Sequence, residues 1–503
     1  MRCELKKKVI EGLLIASVML LSGCGQGQQD NLANSTKSKE VTETAYEAEE
    51  AQMSGNVVAK TEGDVSFADG FTADSDSVTF TIEIEETGFY DLDVISRSDD
   101  GGKKENYLFV DGENMGVLKL EGREFTDSEI KRVYLETGSH EITVQKYWGW
   151  IQIDKLLVRQ SEELDESRFN VEPVLVNENA TENTRRLMTY LCDEYGKHII
   201  SGQYCDGGMY GHENACIWKA TGGKYPAILG LDMMEYTPSR VANGSTSKAV
   251  DYAIEYWEKG GIVTFCWHWN APTKYLTGVW YSGFYTENTN IDLAKIMNGE
   301  DQEGYDLLME DIDAIAKQLG RLQDAGVPVL WRPLHEGAGG WFWWGASGAD
   351  AYKELYKLLY DKLTNEYGLN NLIWVWNGQD KEWYPGDEYV DIIGEDIYPG
   401  EHVYTPQTSR YLDVLDYTDA NKMVVLSENG CLFDPDLAVR DGSMWGYFGT
   451  WGGEFISSST SLNIWSDQYT EEEMVKKVYD SEYVITRDEL PDLKNYPLRT
   501  KGK

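Results

Sequence analysis

Glu336 stands just after an apolar run, Val327 to Leu334, and is followed by Gly337, Gly339, Gly340 and the aromatics Trp341, Phe342, Trp343 and Trp344. A carboxylate at the edge of a core, on a loosened backbone and beside flat ring faces, suits a site that seats a sugar ring. Further on, Glu428 ends a second apolar run that begins at Met423. Hydrolysis of a glycosidic bond needs such a pair: one carboxylic acid to protonate the leaving oxygen, and one carboxylate facing the anomeric carbon. The acid must hold its proton, and burial against Trp341 together with the negative field of Glu428 would raise the pKa of Glu336. Its partner must stay ionised, and Arg332, four residues before Glu336 on an alternating strand, shares the inward face. Strict alternation turns His335 away from that face, so a backbone irregularity is expected at the strand end.

Positioning two such groups requires a scaffold that ends several strands at one place. From about residue 179 the chain alternates apolar runs with helical segments, the pattern of a (β/α)8 TIM barrel. Expected strands are His198 to Tyr204, Ala227 to Met233, Ile262 to Trp267, Val327 to Leu334, Asn371 to Trp376, Val390 to Ile397 and Met423 to Glu428, with an eighth near Met444 to Trp451. Helical periodicity marks Thr184 to Tyr195, Asp306 to Asp324, Tyr352 to Tyr367 and Glu471 to Tyr479. Barrel sites lie at the C-terminal strand ends, which nominates Asp232, His268, His335, Glu336, Asn377, Asp396, Tyr398 and Glu428. His268 and His335 are read as hydrogen-bonding partners of the sugar, and Asp391 and Asp396 as binding or orienting groups.

Residues 45–160 read as a small all-β sandwich, with short alternating runs at Val78 to Ile84, Tyr90 to Ser96, Tyr107 to Val110, Val133 to Leu135 and Glu141 to Tyr147, separated by turn signals. Residues 161–178 form a linker, and residues 179–503 the barrel. Ahead of the sandwich, residues 1–23 have a basic start, an apolar stretch shorter than a bilayer span, and then Leu21-Ser22-Gly23-Cys24. This resembles a bacterial lipobox. It implies an exported chain attached to the membrane through lipid on Cys24, with residues 24–44 as a polar tether in the cell envelope. Of the remaining thiols, Cys192, Cys205, Cys216, Cys266 and Cys431 are expected to be mainly free and buried, with a Cys205 to Cys216 bridge left open.

The segment holding Tyr46-Glu47-Ala48-Glu49, Leu108-Phe109-Val110-Asp111-Gly112 and Tyr147-Trp148-Gly149-Trp150-Ile151-Gln152-Ile153-Asp154 resembles a family 35 carbohydrate-binding module. That resemblance implies a structural calcium held by Glu47, Glu49 and Asp154. The barrel segment holds Gly230-Leu231-Asp232, Thr264-Phe265-Cys266-Trp267-His268-Trp269, Trp331-Arg332-Pro333-Leu334-His335-Glu336, Gly394-Glu395-Asp396-Ile397-Tyr398 and Ser427-Glu428-Asn429-Gly430. It resembles glycoside hydrolase family 26, in which His rather than Asn precedes the acid. The resemblance implies a retaining endo-β-1,4-mannanase with Glu336 as general acid/base and Glu428 as nucleophile. It also implies Trp341 and Tyr398 as cleft walls and Trp451 as the floor under the reacting sugar.

The bulk composition agrees with a glycan partner. The chain has 503 residues, 17 Trp, 32 Tyr and a formal net charge of -41. So acidic a surface argues against nucleic acid, whose phosphates call for basic residues. The expected partner is a β-mannan type polysaccharide; β-1,3-xylan, mixed-linkage glucan, or an inactive barrel that only binds glycan are the alternatives. No cofactor is implied for catalysis, and a monomer is expected.

Overall fold

The computed structural model describes residues 43–459 and 464–499; the expected signal segment and Cys24 lie outside the described residues. Between Glu43 and Gln160, eleven strands form a six-stranded and a five-stranded sheet packed face to face. Alternation does the sorting. In Ser77–Ile84, for example, Val78, Phe80, Ile82 and Ile84 are buried and the residues between them are not.

Each sheet ends in a strand with one free edge, Glu113–Leu120 in one and Thr126–Leu135 in the other. Unpaired edge amides and carbonyls are costly to bury and prone to mispairing in the open. The barrel covers both. Lys131 N–H donates to Ser409 Oγ at 3.0 Å, and the Asn114 carbonyl accepts from Thr405 Oγ1 at 2.7 Å. Lys131 Nζ pairs with Asp413 at 2.7 Å, and Arg132 Nε donates to the Asp441 carbonyl at 2.8 Å while its guanidinium sits 3.9 Å from the Phe89 ring centre.

Eight parallel strands close the second part into a barrel: β1 (Gly202–Tyr204), β2 (Ile228–Asp232), β3 (Ile262–Trp267), β4 (Val329–Pro333), β5 (Leu372–Trp376), β6 (Ile392–Ile397), β7 (Met423–Asn429) and β8 (Phe448–Thr450). The expected eighth strand exists but is only three residues long. Gln203 pairing with Thr450 closes the ring. Helices Glu182–Glu194, Gln302–Asp324, Ala349–Tyr360 and Glu472–Asp480 occupy the four expected helical stretches. Gly230 has a packing reason. A Cβ there would lie 2.6 Å from the Tyr204 ring, so glycine leaves room for that ring inside the barrel.

The five described cysteines Cys192, Cys205, Cys216, Cys266 and Cys431 are all free and buried, and the bridge left open between Cys205 and Cys216 is not formed.

Candidate active site

β4 and β7 deliver the two carboxylates to the same mouth of the barrel. Carboxylate oxygens of Glu336 and Glu428 lie within 4.8 Å of each other, with Asp396 in the same group. Arg332, fully buried on β4, organises that cluster: Nη2 donates to Glu428 Oε1 and, at 3.1 Å, to Tyr204 OH, while Nη1 donates to Asp396 Oδ2 at 2.7 Å. A guanidinium without solvent needs compensating charge, and two carboxylates supply it in fork geometry. The other oxygen of Glu428 accepts from Tyr398 OH at 2.6 Å. Both oxygens of the expected nucleophile are therefore held by donors that aim it.

Glu336 is placed differently. It is partly buried, and its Oε2 accepts from Trp341 Nε1 at 2.8 Å. Burial first, and the negative charge of Glu428 second, push its carboxyl up to about 7, against the opposing pull of the Trp341 hydrogen bond, Arg332 and His268. One carboxylate is thus held by donors and the other shifted toward its protonated form, which is the division of labour glycoside cleavage requires.

The irregularity expected beside His335 is present. β4 stops at Pro333, and Leu334 and Glu336 both adopt left-handed backbone, with φ of 52° and 55°. Non-glycine residues rarely take such angles, and they cluster where surrounding structure dictates them. Here Tyr352 OH donates to the Leu334 carbonyl at 2.9 Å, Trp344 Nε1 to the His335 carbonyl at 2.8 Å, and the Glu336 N–H to the Asn377 carbonyl at 2.7 Å. The twist brings His335 back inside, but only 1% of it is exposed, and its Nε2 faces His268 Nε2 at 3.2 Å. The direct sugar contact expected of His335 is replaced by support of His268.

His268 is more accessible and is held by Asp232, whose Oδ2 lies 2.6 Å from Nδ1. Burial alone would lower the His268 pKa; the Asp232 carboxylate outweighs it, and the net shift is upward. His335 moves the other way, lowered by burial and by its neighbours His268 and Arg332. Asp232 thus favours the charged form of His268, and burial favours the neutral form of His335.

The aromatic residues divide. Trp341 is 47% exposed and Tyr398 43%, and each donates to one of the two carboxylates. Trp451 follows β8 and lies between the Tyr204 and His268 rings, with centroids at 4.8 and 5.7 Å. Phe342, Trp343 and Trp344, which share the run with Trp341, are buried packing residues instead.

Two expected assignments need correction, Asp391 and the calcium ligands, while Asp396 takes the orienting one of its two expected roles. Asp391 precedes β6 and so lies at the opposite end of the barrel from the site; its oxygens accept from Val176 N–H at 2.7 Å and Trp374 N–H at 2.8 Å. Asp396 is beside the carboxylates, but its side chain is buried against Arg332 and Ser427 Oγ, the latter at 2.7 Å, so it orients Arg332 and offers nothing to the cleft. In the sandwich, Glu47 and Asp154 both face Lys155 Nζ, at 3.2 and 3.4 Å, and Glu49 is exposed. Among the described residues their oxygens do not converge as the Glu336 group does, so this donor set does not fit a calcium ion.

Tyr204 was missed by sequence reasoning, although it ends β1 and the strand-end rule would have reached it. Its hydroxyl is part of the Arg332 cluster only because the barrel closes β1 beside β8.

Comparison with known proteins agrees with this geometry. Residues 176–489 match the profile described as glycosyl hydrolase family 26, and residues 44–161 the profile described as carbohydrate binding module (family 35). The chain is 39% identical over 457 residues to a mannan endo-1,4-beta-mannosidase of Thermothelomyces thermophilus, covering 89% of this chain and 90% of that one. It is 34% identical to mannan endo-1,4-beta-mannosidase B of a Piromyces species, over 89% of this chain and 77% of the relative. Among solved structures, the Podospora anserina GH26-CBM35 beta-(1,4)-mannanase superposes with a TM-score of 0.63 at 37% identity, over 90% of this chain and 99% of that one. A beta-mannanase from a symbiotic protist of the termite Reticulitermes speratus, complexed with gluco-manno-oligosaccharide, gives 0.58 at 34% identity, over 64% of this chain and 99% of that one.

Proposed function

The chain belongs to glycosyl hydrolase family 26 and carries a family 35 carbohydrate-binding module ahead of its barrel, and on that premise we propose that it is a retaining endo-β-1,4-mannanase. The observation that carries the reading is the pair Glu336 and Glu428, with oxygens within 4.8 Å. Retaining enzymes keep their two carboxyl groups about 5–5.5 Å apart, whereas inverting ones leave about 6.5–9.5 Å for a water.

In the first step Glu428 attacks the anomeric carbon while Glu336 gives its proton to the departing glycosidic oxygen. The products are a covalent glycosyl-enzyme and a shortened chain. In the second step Glu336, now a carboxylate, takes a proton from water, whose oxygen displaces Glu428 and restores the original anomeric configuration. Trp341 and Tyr398 wall the cleft and Trp451 lies under the reacting sugar.

Reducing-sugar release from mannan, β-1,3-xylan and barley glucan by the purified protein tests the assignment, with mannan expected to be cleaved by far the fastest. Glu336→Ala and Glu428→Ala should each lose almost all turnover while keeping a cooperative melting transition, at lower temperature in Glu428→Ala because Arg332 loses a buried counter-charge. Preference for xylan or barley glucan would overturn the substrate, and full activity in either variant would overturn the mechanism.

We also infer that the chain is exported and lipidated at Cys24, on the strength of Leu21-Ser22-Gly23-Cys24. Labelled fatty acid should enter the wild type expressed in a bacterium and not Cys24→Ala; equal labelling of both would refute it. The calcium suggested by the module's resemblance is not carried into this reading, because Lys155 lies against two of its three expected ligands.

A further inference from the structure

Asn377 directly follows β5 and is fully buried. Its side chain joins three strands. Oδ1 accepts from the Glu336 backbone N–H at 3.1 Å and from Arg332 Nη1 at 3.3 Å, and Nδ2 donates to the Gly394 carbonyl at 3.0 Å. Chemistry fixes the amide's orientation: two donors meet one end and a carbonyl the other, so a flipped amide would lose all three bonds. The backbone carbonyl of the same residue accepts the same Glu336 N–H at 2.7 Å.

This double hold falls on a backbone that would not stay in place unaided. Leu334 and Glu336 are both left-handed, and such angles persist only where the surroundings impose them. Tyr352 and Trp344 grip the carbonyls of Leu334 and His335. Asn377 grips Glu336 itself. It also touches Arg332, whose other nitrogen binds Glu428. Its amide therefore lies between the support of one carboxylate and the support of the other, without contacting either.

We propose that Asn377 is a positioning residue for glycosidic cleavage, aiming the Glu336 carboxyl at the leaving oxygen through the Glu336 backbone N–H; this rests on the assignment of Glu336 as the acid. A residue that acts through the acid should matter in proportion to how much the leaving group needs a proton. A sugar hydroxyl leaves poorly without one, whereas a dinitrophenolate leaves unaided. Both substrates pass through the same attack by Glu428.

The test compares wild type and Asn377→Ala on mannopentaose and on a dinitrophenyl β-mannobioside. On mannopentaose kcat/KM should fall about 100-fold, the scale of a displacement of about 1 Å at a reacting group. On the activated substrate kcat/KM should fall less than about tenfold. There kcat and KM should drop together, because return of water to the glycosyl-enzyme still needs Glu336 as base and becomes limiting. Equal losses of kcat/KM on both substrates would overturn the proposal and assign Asn377 to Arg332 and Glu428. So would unchanged kinetics on both.

Asn377→Ser, which removes the amide but leaves a small polar group, is measured beside the alanine variant, with thermal melting of each. If neither variant keeps the wild-type cooperative transition, Asn377 holds the fold and the proposal falls. A wild type inert toward both substrates would instead remove the assignment of Glu336, and is distinguished by that control.

Discussion

At the scale of single residues, the site works by treating two chemically identical side chains differently. Glu428 is bound by Arg332 and Tyr398 through both oxygens, while Glu336 has one indole donor and a negative neighbour. With the Glu336 pKa raised to about 7, the acid-catalysed step should lose rate as pH rises through that value, since only the protonated form can donate. Much of the shift comes from burial, which a variant cannot easily remove, but the Glu428 contribution can be deleted. In Glu428→Gln the Glu336 carboxyl should titrate at lower pH than in the wild type, read directly by carbon-13 NMR of labelled glutamate and needing no turnover. An unchanged titration would mean that the two groups do not sense each other.

At the scale of elements, position along a strand decided which acids matter. Asp391 and Asp396 looked alike in the sequence, yet Asp391 precedes β6 at the far end of the barrel and Asp396 lies near the C-terminal end of that strand beside Arg332. Behind the site, helix Gln302–Asp324 supplies another buried acid: Asp311 accepts from Trp269 Nε1 at 2.7 Å, and burial pushes its carboxyl up to about 7. Trp269 in turn stacks on Trp267, with centroids 4.1 Å apart, and its carbonyl accepts from Trp343 Nε1 at 2.6 Å. The unfolded chain would ionise Asp311 near pH 4, so between about pH 4 and 7 it releases a proton that the folded state keeps, and stability falls as pH rises across that window. Asp311→Asn keeps a carbonyl for Trp269 and ends the titration. It should raise the melting temperature at pH 8 and do so less at pH 4; equal changes at both would show that Asp311 is not a buried titrating acid.

At the scale of the whole molecule, the sandwich is more than an appendage, because the barrel completes its edges. Main-chain groups of both edge strands find partners on Thr405 and Ser409, and Arg132 inserts between Phe89 and the Asp441 carbonyl. The described residues from 43 onward accordingly fall in one compact unit. Calorimetry of the wild type should give a single cooperative transition. Arg132→Ala should separate the melting of the sandwich from that of the barrel, and a single unshifted transition in that variant would show that the interface contributes nothing to cooperativity.

The order of apolar runs announced both domains, and the polar residues closing those runs announced most of the site, because a parallel barrel gathers all its strand ends at one mouth. Alternation put Arg332 on the inward face of β4, but Glu336 lies past the end of that strand and reaches the same mouth through left-handed backbone. What the sequence could not hold was whatever depends on closing the ring or on leaving regular geometry. Tyr204 joins Arg332 only across the closure, His335 turns inward only through two left-handed residues, and of four consecutive rings only Trp341 reaches the cleft. Glu336 was legible as an acid whose pKa burial and Glu428 raise, but the hydrogen bond by which Trp341 opposes that rise and its hold by Asn377 were decided by tertiary structure. Burial and nearby charge are sums over neighbours brought from distant positions in the chain, and no local pattern encodes that sum.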